Sequence, residues 1–278
     1  MKKTFILIAA CFMSIMANAQ ILEVVSMQQL PTASYDDARV AAISPTGDYV
    51  LMTSGSFIGL QRVDLTSGQK NVISKAEGAG YDVKISRNGK ELMFREAKLD
   101  ANKNQSYNFV RANIQNNTKS VVAKKQYSNI TPLVENANLS LINDECKLWI
   151  EKNGKKIAIA PQGEEVNYIW GSLSPDQTKI LYYVSEMGCY VCDTNGKNSQ
   201  FIGWDCTAPC WYDNNTIIAM NDQDDGTYTT ASSIVAYTLD GKYQVLTSPD
   251  MIAMYPAAVN GKVVFSTAQG ETYVLNVK

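Results

Sequence analysis

Cysteines and clustered carboxylates are the residues of this 278-residue chain whose types and spacing could do chemistry, because the chain contains no histidine. Without an imidazole, neither Ser-His-Asp catalysis, nor Cys-His catalysis, nor a histidine-bound metal can be built. The sequence also lacks a G-x-S-x-G nucleophile elbow, a P-loop and a dinucleotide-binding fingerprint. It therefore predicts no catalytic residue set, no resident metal and no cofactor.

The cysteines that follow residue 20 are one single residue and two close pairs: Cys146, Cys189 with Cys192, and Cys206 with Cys210. Four thiols could bind zinc, but both pairs lie on or beside predicted strands and not on the tight turns that usually present zinc ligands. A strand points Cys189 and Cys192 to opposite faces, and Cys206 and Cys210 in an extended strand are about 13 Å apart, so neither pair should bridge within itself. The remaining interpretations are one disulfide between the two pairs, or buried thiols that do no chemistry.

Acidic residues provide two further candidates. Asp222, Asp224 and Asp225 resemble part of a calcium-binding loop, but the glutamate that should follow is missing, which favours a solvated loop. Separately, two carboxylates across a cleft can hydrolyse a glycosidic bond without any histidine. The acids that we consider for such a glycosidase are Asp82, Glu96, Asp205 and Asp222.

Strands must position these residues, because Val, Ile, Tyr and Thr dominate and no window shows the apolar spacing of a long amphipathic helix. A polar turn followed by an apolar strand recurs along the chain, as is typical of hairpins that lead into buried strands. Three copies are Ser44-Pro45-Thr46-Gly47, Ser86-Arg87-Asn88-Gly89 and Ser174-Pro175-Asp176-Gln177. The same register passes through Ala41, Val83, Pro132, Gly171, Pro209 and Pro256.

The repeat has a period of about 43 residues, in the range of four-stranded propeller blades. Six such units need about 258 residues, and removing residues 1–19 from the 278 leaves 259. The last unit lacks a fourth strand, whereas Ile21 to Ser26 is a strand-like run without a partner. We therefore predict an all-β fold over residues 20–278: a six-bladed β-propeller with four-stranded antiparallel blades, closed by the N-terminal strand in the last blade.

Residues 1–19 have the pattern of a cleaved signal peptide: two lysines, an apolar run from Thr4 to Met16, and an Ala-Asn-Ala cleavage site. We expect an exported protein, periplasmic or extracellular, or held at the cell surface if Cys11 is lipidated. No later segment is long and apolar enough to predict a membrane span. The net charge of −2 argues against a nucleic-acid partner, and we expect a monomer.

The turn and strand segments at Ser44, Ser86 and Ser174 resemble the S-P-D-G repeats of TolB-like β-propellers. The resemblance extends over essentially the whole chain after residue 19. The sequence is also similar to the propeller part of the dipeptidyl-peptidases, without the hydrolase domain that follows it there. The resemblance implies an exported propeller that binds partners or small ligands, and it transfers no catalytic residue to this chain.

In a propeller of this kind, the loops that enter each innermost strand lie at one mouth of the central channel, together with the loops between second and third strands. Two of the latter are long, Glu96 to Ser106 and Asn221 to Gly226. Aromatic residues before the innermost strands could stack there on a sugar or a peptide side chain; the alternative is packing between blades. The candidate ligand-binding residues are Tyr81, Tyr168, Trp204, Tyr255, Glu96 and Asp222.

These observations together predict a non-catalytic propeller that binds a protein partner, a peptide or a glycan of the cell envelope at the channel mouth. The alternative is a histidine-free, carboxylate-dependent glycosidase that acts at the same mouth. In either case the repeated serine turns lie on the opposite face, where they specify the fold.

Overall fold

The computed structural model describes residues 20–31, 35–128, 130–135 and 138–278, and these form a ring of six antiparallel sheets. The predicted six-bladed β-propeller is therefore confirmed. The predicted signal peptide, including Cys11, lies outside the described residues. In the part of the chain that is described, no helix is long and apolar enough to cross a membrane.

The strands of each blade follow one another outward from the channel, and β1 (Val24–Gln29) belongs to the last blade. Blade 1 contains β2 (Ala38–Ile43), β3 (Tyr49–Ser54), β4 (Leu60–Asp64) and β5 (Lys70–Ser74). Blade 2 contains β6 (Lys84–Ile85), β7 (Glu91–Leu99), β8 (Gln105–Asn113) and β9 (Thr118–Gln126). Blade 3 contains β10 (Leu139–Asp144), β11 (Lys147–Lys152) and β12 (Lys155–Ile159).

The second half of the ring has the same order. Blade 4 contains β13 (Tyr168–Leu173), β14 (Lys179–Val184), β15 (Gly188–Asp193) and β16 (Gln200–Gly203). Blade 5 contains β17 (Thr207–Trp211), β18 (Thr216–Asp224), β19 (Thr229–Thr238) and β20 (Tyr243–Val245). Blade 6 contains β21 (Ala253–Val259), β22 (Lys262–Thr267) and β23 (Thr272–Val277), with β1 as its outermost strand.

The N-terminal strand closes the ring as predicted. β1 pairs antiparallel with β23 along its length. Beyond this ladder, Glu23 and Lys278 exchange both backbone hydrogen bonds, at 2.9 and 3.0 Å. The Gln244 Oε1 atom of blade 5 accepts the backbone N–H groups of Ile21 and Leu22 at 2.7 and 2.9 Å. The first and last strands of the described residues are thus held in one blade, and that blade is tied to its neighbour.

Blade 3 has three strands within the described residues, one fewer than predicted. The segment around Pro132 was expected to be its innermost strand, but it joins no ladder. Instead the Thr131 N–H donates to Asp82 Oδ2 of blade 2 at 3.0 Å, and Val134 packs against Met93 and Phe109. Proline supplies no ladder N–H. Where proline recurs in β17 and β21 a bulge accommodates it, whereas in blade 3 the segment leaves the sheet.

The repeated serines are buried, and their hydroxyls organise the turns between first and second strands. Ser174 Oγ donates to Asp176 Oδ1 at 2.7 Å and accepts the N–H groups of Thr178 and Lys179 at 3.2 and 3.0 Å. The bond from Ser174 holds the pKa of Asp176 below its ordinary value. Ser86 makes the equivalent bonds in blade 2, which explains why the motif repeats.

We expect Ser174→Ala to lower the free energy of unfolding by about 1–3 kcal/mol, because Lys179 N–H loses its acceptor. Urea denaturation followed by tryptophan fluorescence measures this change. Ser56→Ala is the control, since Ser56 lies exposed in a loop of blade 1. A loss at Ser174 no larger than the loss at Ser56 would contradict the role given to the turn.

Candidate binding site at the channel mouth

The central channel contains a cavity of about 590 Å³ at the end where the innermost strands begin. Its walls come from the innermost strands of blades 1, 4, 5 and 6 and from Tyr183 near the end of β14. The lining side chains that matter below are Arg39, Trp170, Tyr183, Thr207 and Tyr255. The cavity therefore lies at the predicted mouth, on the face opposite the serine turns.

Arg39 and Tyr255 line this cavity, and Phe57 contacts Arg39 from a neighbouring loop. The Arg39 Cζ atom lies 3.7 Å from the ring centroid of Tyr255 and 4.6 Å from that of Phe57. Tyr255 reaches this position because it has a φ of 54° within a bulge of β21, and bulges re-aim side chains. Phe57 comes from the loop between β3 and β4, so these contacts join blades 6 and 1.

The chain of contacts continues into blade 2, where Phe57, Arg95 and Tyr107 line a second cavity of about 270 Å³. The Tyr81 ring meets the Phe57 ring edge to face, with centroids 5.1 Å apart. The Arg95 Cζ atom lies 3.9 Å from the Tyr81 centroid and 4.4 Å from the Tyr107 centroid. Such contacts stabilise a cation near an aromatic face. We call this set the arginine–aromatic arc, and its members are Arg39, Phe57, Tyr81, Arg95, Tyr107 and Tyr255.

Two of the acids considered from the sequence belong to blade 5: Asp205 is exposed just before β17, and Asp222 lies on β18. Burial, followed by the neighbouring thiols and the carboxylates of Asp222 and Asp205, raises the pKa of Tyr183. The other two acids considered from the sequence belong to blade 2, where Asp82 pairs with a lysine and Glu96 Oε1 accepts the Ser74 hydroxyl at 2.8 Å. Two of the four acids thus share one rim.

The two long loops predicted at the mouth are in fact extended hairpins. β7 continues to Leu99 and β8 begins at Gln105, while β18 continues to Asp224 and β19 begins at Thr229. These strands are about three residues longer than most others, which adds about 10 Å at 3.3 Å per residue. Blades 2 and 5 are opposite each other in the ring. The hairpins therefore project on opposite sides of the mouth.

Four of the six site residues predicted from the sequence lie in the arc or on the long hairpins, and the other two, Tyr168 and Trp204, lie elsewhere. Tyr81 and Tyr255 belong to the arginine–aromatic arc, and Glu96 and Asp222 lie on the strands of the two long hairpins. Tyr168 is 2% exposed, and its hydroxyl donates to a backbone carbonyl and accepts a backbone N–H, so it packs between blades 3 and 4. Trp204 is 63% exposed, but it contacts Phe201 of the outermost strand of blade 4 and lies away from the channel.

Sequence reasoning missed the arginines of the arc. Arg39 is the one charged residue of β2, and Arg95 lies in a mostly apolar stretch of β7. An arginine within an apolar strand is the signal that could have found them, because long charged side chains are rarely buried without a partner. Phe57 gave no comparable signal, since it lies in a loop.

The acidic loop of blade 5 organises its own backbone. Asp224 Oδ1 accepts the N–H of Gly226 at 2.8 Å, and Asp225 Oδ1 accepts those of Thr227 and Tyr228 at 2.9 and 2.8 Å. These backbone bonds hold the pKa of Asp225 below its ordinary value. Among the residues that the structure describes, no three cysteine, aspartate or glutamate side chains are grouped to hold a metal ion.

The paired cysteines separate into three blade interfaces. Cys192 faces blade 3, Cys189 and Cys206 meet between blades 4 and 5, and Cys210 faces blade 6. The four thiols therefore do not converge as zinc ligands. The five cysteines within the described residues are free thiols. A hydrogen bond to Cys189 and burial raise the pKa of Cys206, so these two thiols are in contact across the blades, at the place where a disulfide between the two pairs could form.

We expect an alkylating reagent at about pH 8 to label Cys146 and to leave the buried thiols unmodified in the native protein. Cys146 is exposed, whereas burial raises the pKa of Cys192 and of Cys210 to about 12. At about pH 8, only about one in ten thousand such thiols is the reactive thiolate. Peptide mass spectrometry measures the labelling, and Cys146→Ser should remove the native signal. Equal labelling rates at Cys146 and Cys192 would contradict this prediction.

A scan against protein-family models finds no match, and a search of curated proteins finds none either. Solved structures with a similar fold include virginiamycin B lyase from Staphylococcus aureus, at 10% identity and a TM-score of 0.56 over 92% of this chain and 99% of that one. U3-55K aligns at 8% identity and a TM-score of 0.54, over 90% and 98%.

A protein assigned as TolB from Agrobacterium tumefaciens aligns at 12% identity and a TM-score of 0.51, over 87% of this chain and 90% of that one. Identities this low show a shared fold and carry no activity across. The chain is a six-bladed β-propeller, and its likeness to TolB and to the other propellers is a likeness of fold.

Proposed function

We propose that this protein is an exported propeller that binds a protein partner, a peptide or a glycan of the cell envelope at its channel mouth, without catalysing a reaction. The cavity of about 590 Å³ is the observation that carries the proposal. Its volume falls within the range of about 300–1,000 Å³ that small-ligand sites occupy. Export is supported by the N-terminal signal pattern.

The surroundings of the cavity support binding of a ligand larger than the cavity itself. Tyr228 is 74% exposed and Leu99 is 65% exposed, one at the end of each long hairpin. Exposed aromatic and apolar side chains on projecting elements are typical of surfaces that contact a partner. A peptide or glycan chain could therefore enter the channel while its flanking parts contact the hairpins.

Blocking the cavity should abolish this binding. Thr207 is exposed and lines the cavity, so Thr207→Trp fills space without disturbing the core. Immobilised wild-type and variant proteins are incubated with detergent-solubilised cell envelope, and the retained proteins and glycans are quantified by mass spectrometry. We expect retention to fall at least about tenfold, which corresponds to about 1.4 kcal/mol.

Gln115→Trp is the matched control, because Gln115 is exposed in the turn between β8 and β9, on the opposite face. This variant should retain the same components as the wild-type protein. Loss of retention in Gln115→Trp, with none in Thr207→Trp, would contradict binding at the mouth.

Asp205 and Asp222 favour a second candidate function, a histidine-free glycosidase, because Asp205 is exposed just before β17 and Asp222 lies on β18 of the same blade. Release of nitrophenol from a panel of nitrophenyl glycosides tests it. Asp205→Asn and Asp222→Asn should each reduce hydrolysis by at least about a hundredfold if the carboxylates act as acid and nucleophile or base. Activity that survives both substitutions would exclude this pair.

A further inference from the structure

We infer that Arg39 recognises a carboxylate group of the ligand that enters the channel mouth. The inference rests on the proposed function and names the chemical group that the mouth binds.

Arg39 lacks a counter-charge. Among the described residues, the ion pairs within 4.0 Å involve other cations, including Arg62, Arg87 and Arg111, and none includes Arg39. Its Nε atom is buried without a hydrogen-bond partner. Burial lowers the pKa of Arg39, with the nearby Tyr255 opposing the shift. A half-buried cation without an anion is less well stabilised than a paired one, so an anionic group of a ligand would stabilise Arg39 on binding.

The rings of Tyr255 and Phe57 limit the directions from which a ligand can approach Arg39. Tyr255 and Phe57 cover the guanidinium from the directions of their ring faces, at 3.7 and 4.6 Å. The five donors of a guanidinium lie in its plane and match the two oxygens of a carboxylate. Since Arg39 also lines the cavity, an acceptor that comes from the channel can reach its N–H donors.

The other residues around the cavity favour a ligand that carries one negative charge and has a partly apolar surface. Ile169, Pro209 and Ala257 provide apolar lining. Asp205 and Asp222 of blade 5 place negative charge on that side of the mouth, which opposes a doubly charged phosphomonoester more strongly than a single carboxylate. A peptide C-terminus and a uronic acid both present one carboxylate on such a surface.

Matched acid and neutral probes test the inference by calorimetry: N-acetyl-Leu-Leu against its C-terminal amide, and glucuronic acid against glucose. We expect at least one acid to bind the wild-type protein about ten to a hundred times more tightly than its neutral counterpart. Which acid shows the larger difference identifies a peptide or a sugar as the source of the carboxylate.

Arg39→Gln should remove that difference, and Arg39→Lys should restore part of it, because lysine keeps the charge but loses the planar fork. Arg62→Gln is the matched control: Arg62 also lies over a tyrosine ring, at 4.8 Å from Tyr49, but it pairs with Asp64 at 3.5 Å and lies outside the cavity. Thermal melting of each variant shows that it is folded.

Equal binding of acid and neutral probes, or no binding of either acid at about 10 mM, which corresponds to less than about 3 kcal/mol, would overturn the inference. Equal losses in Arg39→Gln and Arg62→Gln would do the same. If Thr207→Trp blocks retention of envelope components while Arg39→Gln changes nothing, the carboxylate assignment fails and binding at the mouth stands. If Thr207→Trp has no effect on retention, the proposed function itself fails.

Discussion

A protein that lacks residues 20–30 is expected to lose its cooperative unfolding transition. This segment contains β1, the outermost strand of blade 6, and two buried leucines. Leu22 belongs to the core between blades 5 and 6, and Leu30 to the core between blades 6 and 1. Removing a buried leucine side chain costs about 2–5 kcal/mol, and a typical domain is stable by only about 5–15 kcal/mol.

Calorimetry and size-exclusion chromatography measure this effect. The deletion also exposes the edge of β23, which invites aggregation, so we expect a broadened or absent transition together with soluble aggregates. A synthetic peptide of residues 20–30 added in excess should restore part of the transition. Val25→Ala, on the half-exposed face of the same strand, should leave it nearly unchanged. A truncated protein that melts within a few degrees of the full chain would contradict the closure.

Tyr182→Ala should be the most destabilising single substitution among the aromatic residues of blade 4. Tyr182 is fully buried, and its ring centroid lies 5.8 Å from that of Tyr168 and 5.7 Å from that of Tyr190. Removal of a buried aromatic ring costs about 3–5 kcal/mol. Chemical denaturation measures the loss, and Phe201→Ala is the control because Phe201 is 43% exposed at the outer edge of the same blade.

Tyr182→Phe separates the ring from the hydroxyl. The hydroxyl lies 2.6 Å from Ser199 Oγ and accepts Gln162 Nε2 at 3.3 Å, so its removal should cost only about 1–2 kcal/mol. Burial raises the pKa of Tyr182 from 10.0 to about 12. The folded state therefore favours the neutral phenol, and this stabilisation is present below pH 10 and is lost as the pH rises towards about 12.

The alkaline limb of the stability curve should accordingly be shallower in Tyr182→Phe than in the wild-type protein. Equal slopes between pH 10 and about 12 would show that this hydroxyl does not contribute. A cost of Tyr182→Ala that matches the cost of Phe201→Ala would contradict the packing role of the ring.

The ring and its closure could be predicted from the sequence because their determinants are local. The turn at Ser174 requires a hydroxyl that bonds to backbone groups four and five residues later, so its motif recurs wherever the hairpin recurs. Closure of the ring was predicted because the last repeat lacked a fourth strand and the unpaired N-terminal strand could supply it. The prediction of an innermost strand around Pro132 in blade 3 was wrong. A proline lacks the backbone N–H of a ladder, which can either end a strand or produce a bulge in it, and the packing around the segment decides which occurs.

The site was harder to predict because it depends on contacts between distant segments. Arg39 acquires its role only from Phe57 in the next loop and from Tyr255 in the last blade. Tyr168, Trp204 and Tyr255 all precede the register residue of their repeat, but at different spacings: Tyr168 is buried between blades, and Trp204 lies at the outer edge. Side chains alternate along a strand, so a shift of one residue moves an aromatic ring from the channel into the core.

Site-specific photo-crosslinking tests binding at the mouth most directly. Benzoylphenylalanine replaces Tyr228, which is 74% exposed on the blade 5 hairpin, or Gln115, which is exposed on the opposite face. Each protein is illuminated in the presence of solubilised cell envelope. We predict covalent adducts from position 228 that Thr207→Trp suppresses, and none from position 115. Adducts from position 115 alone would contradict the account.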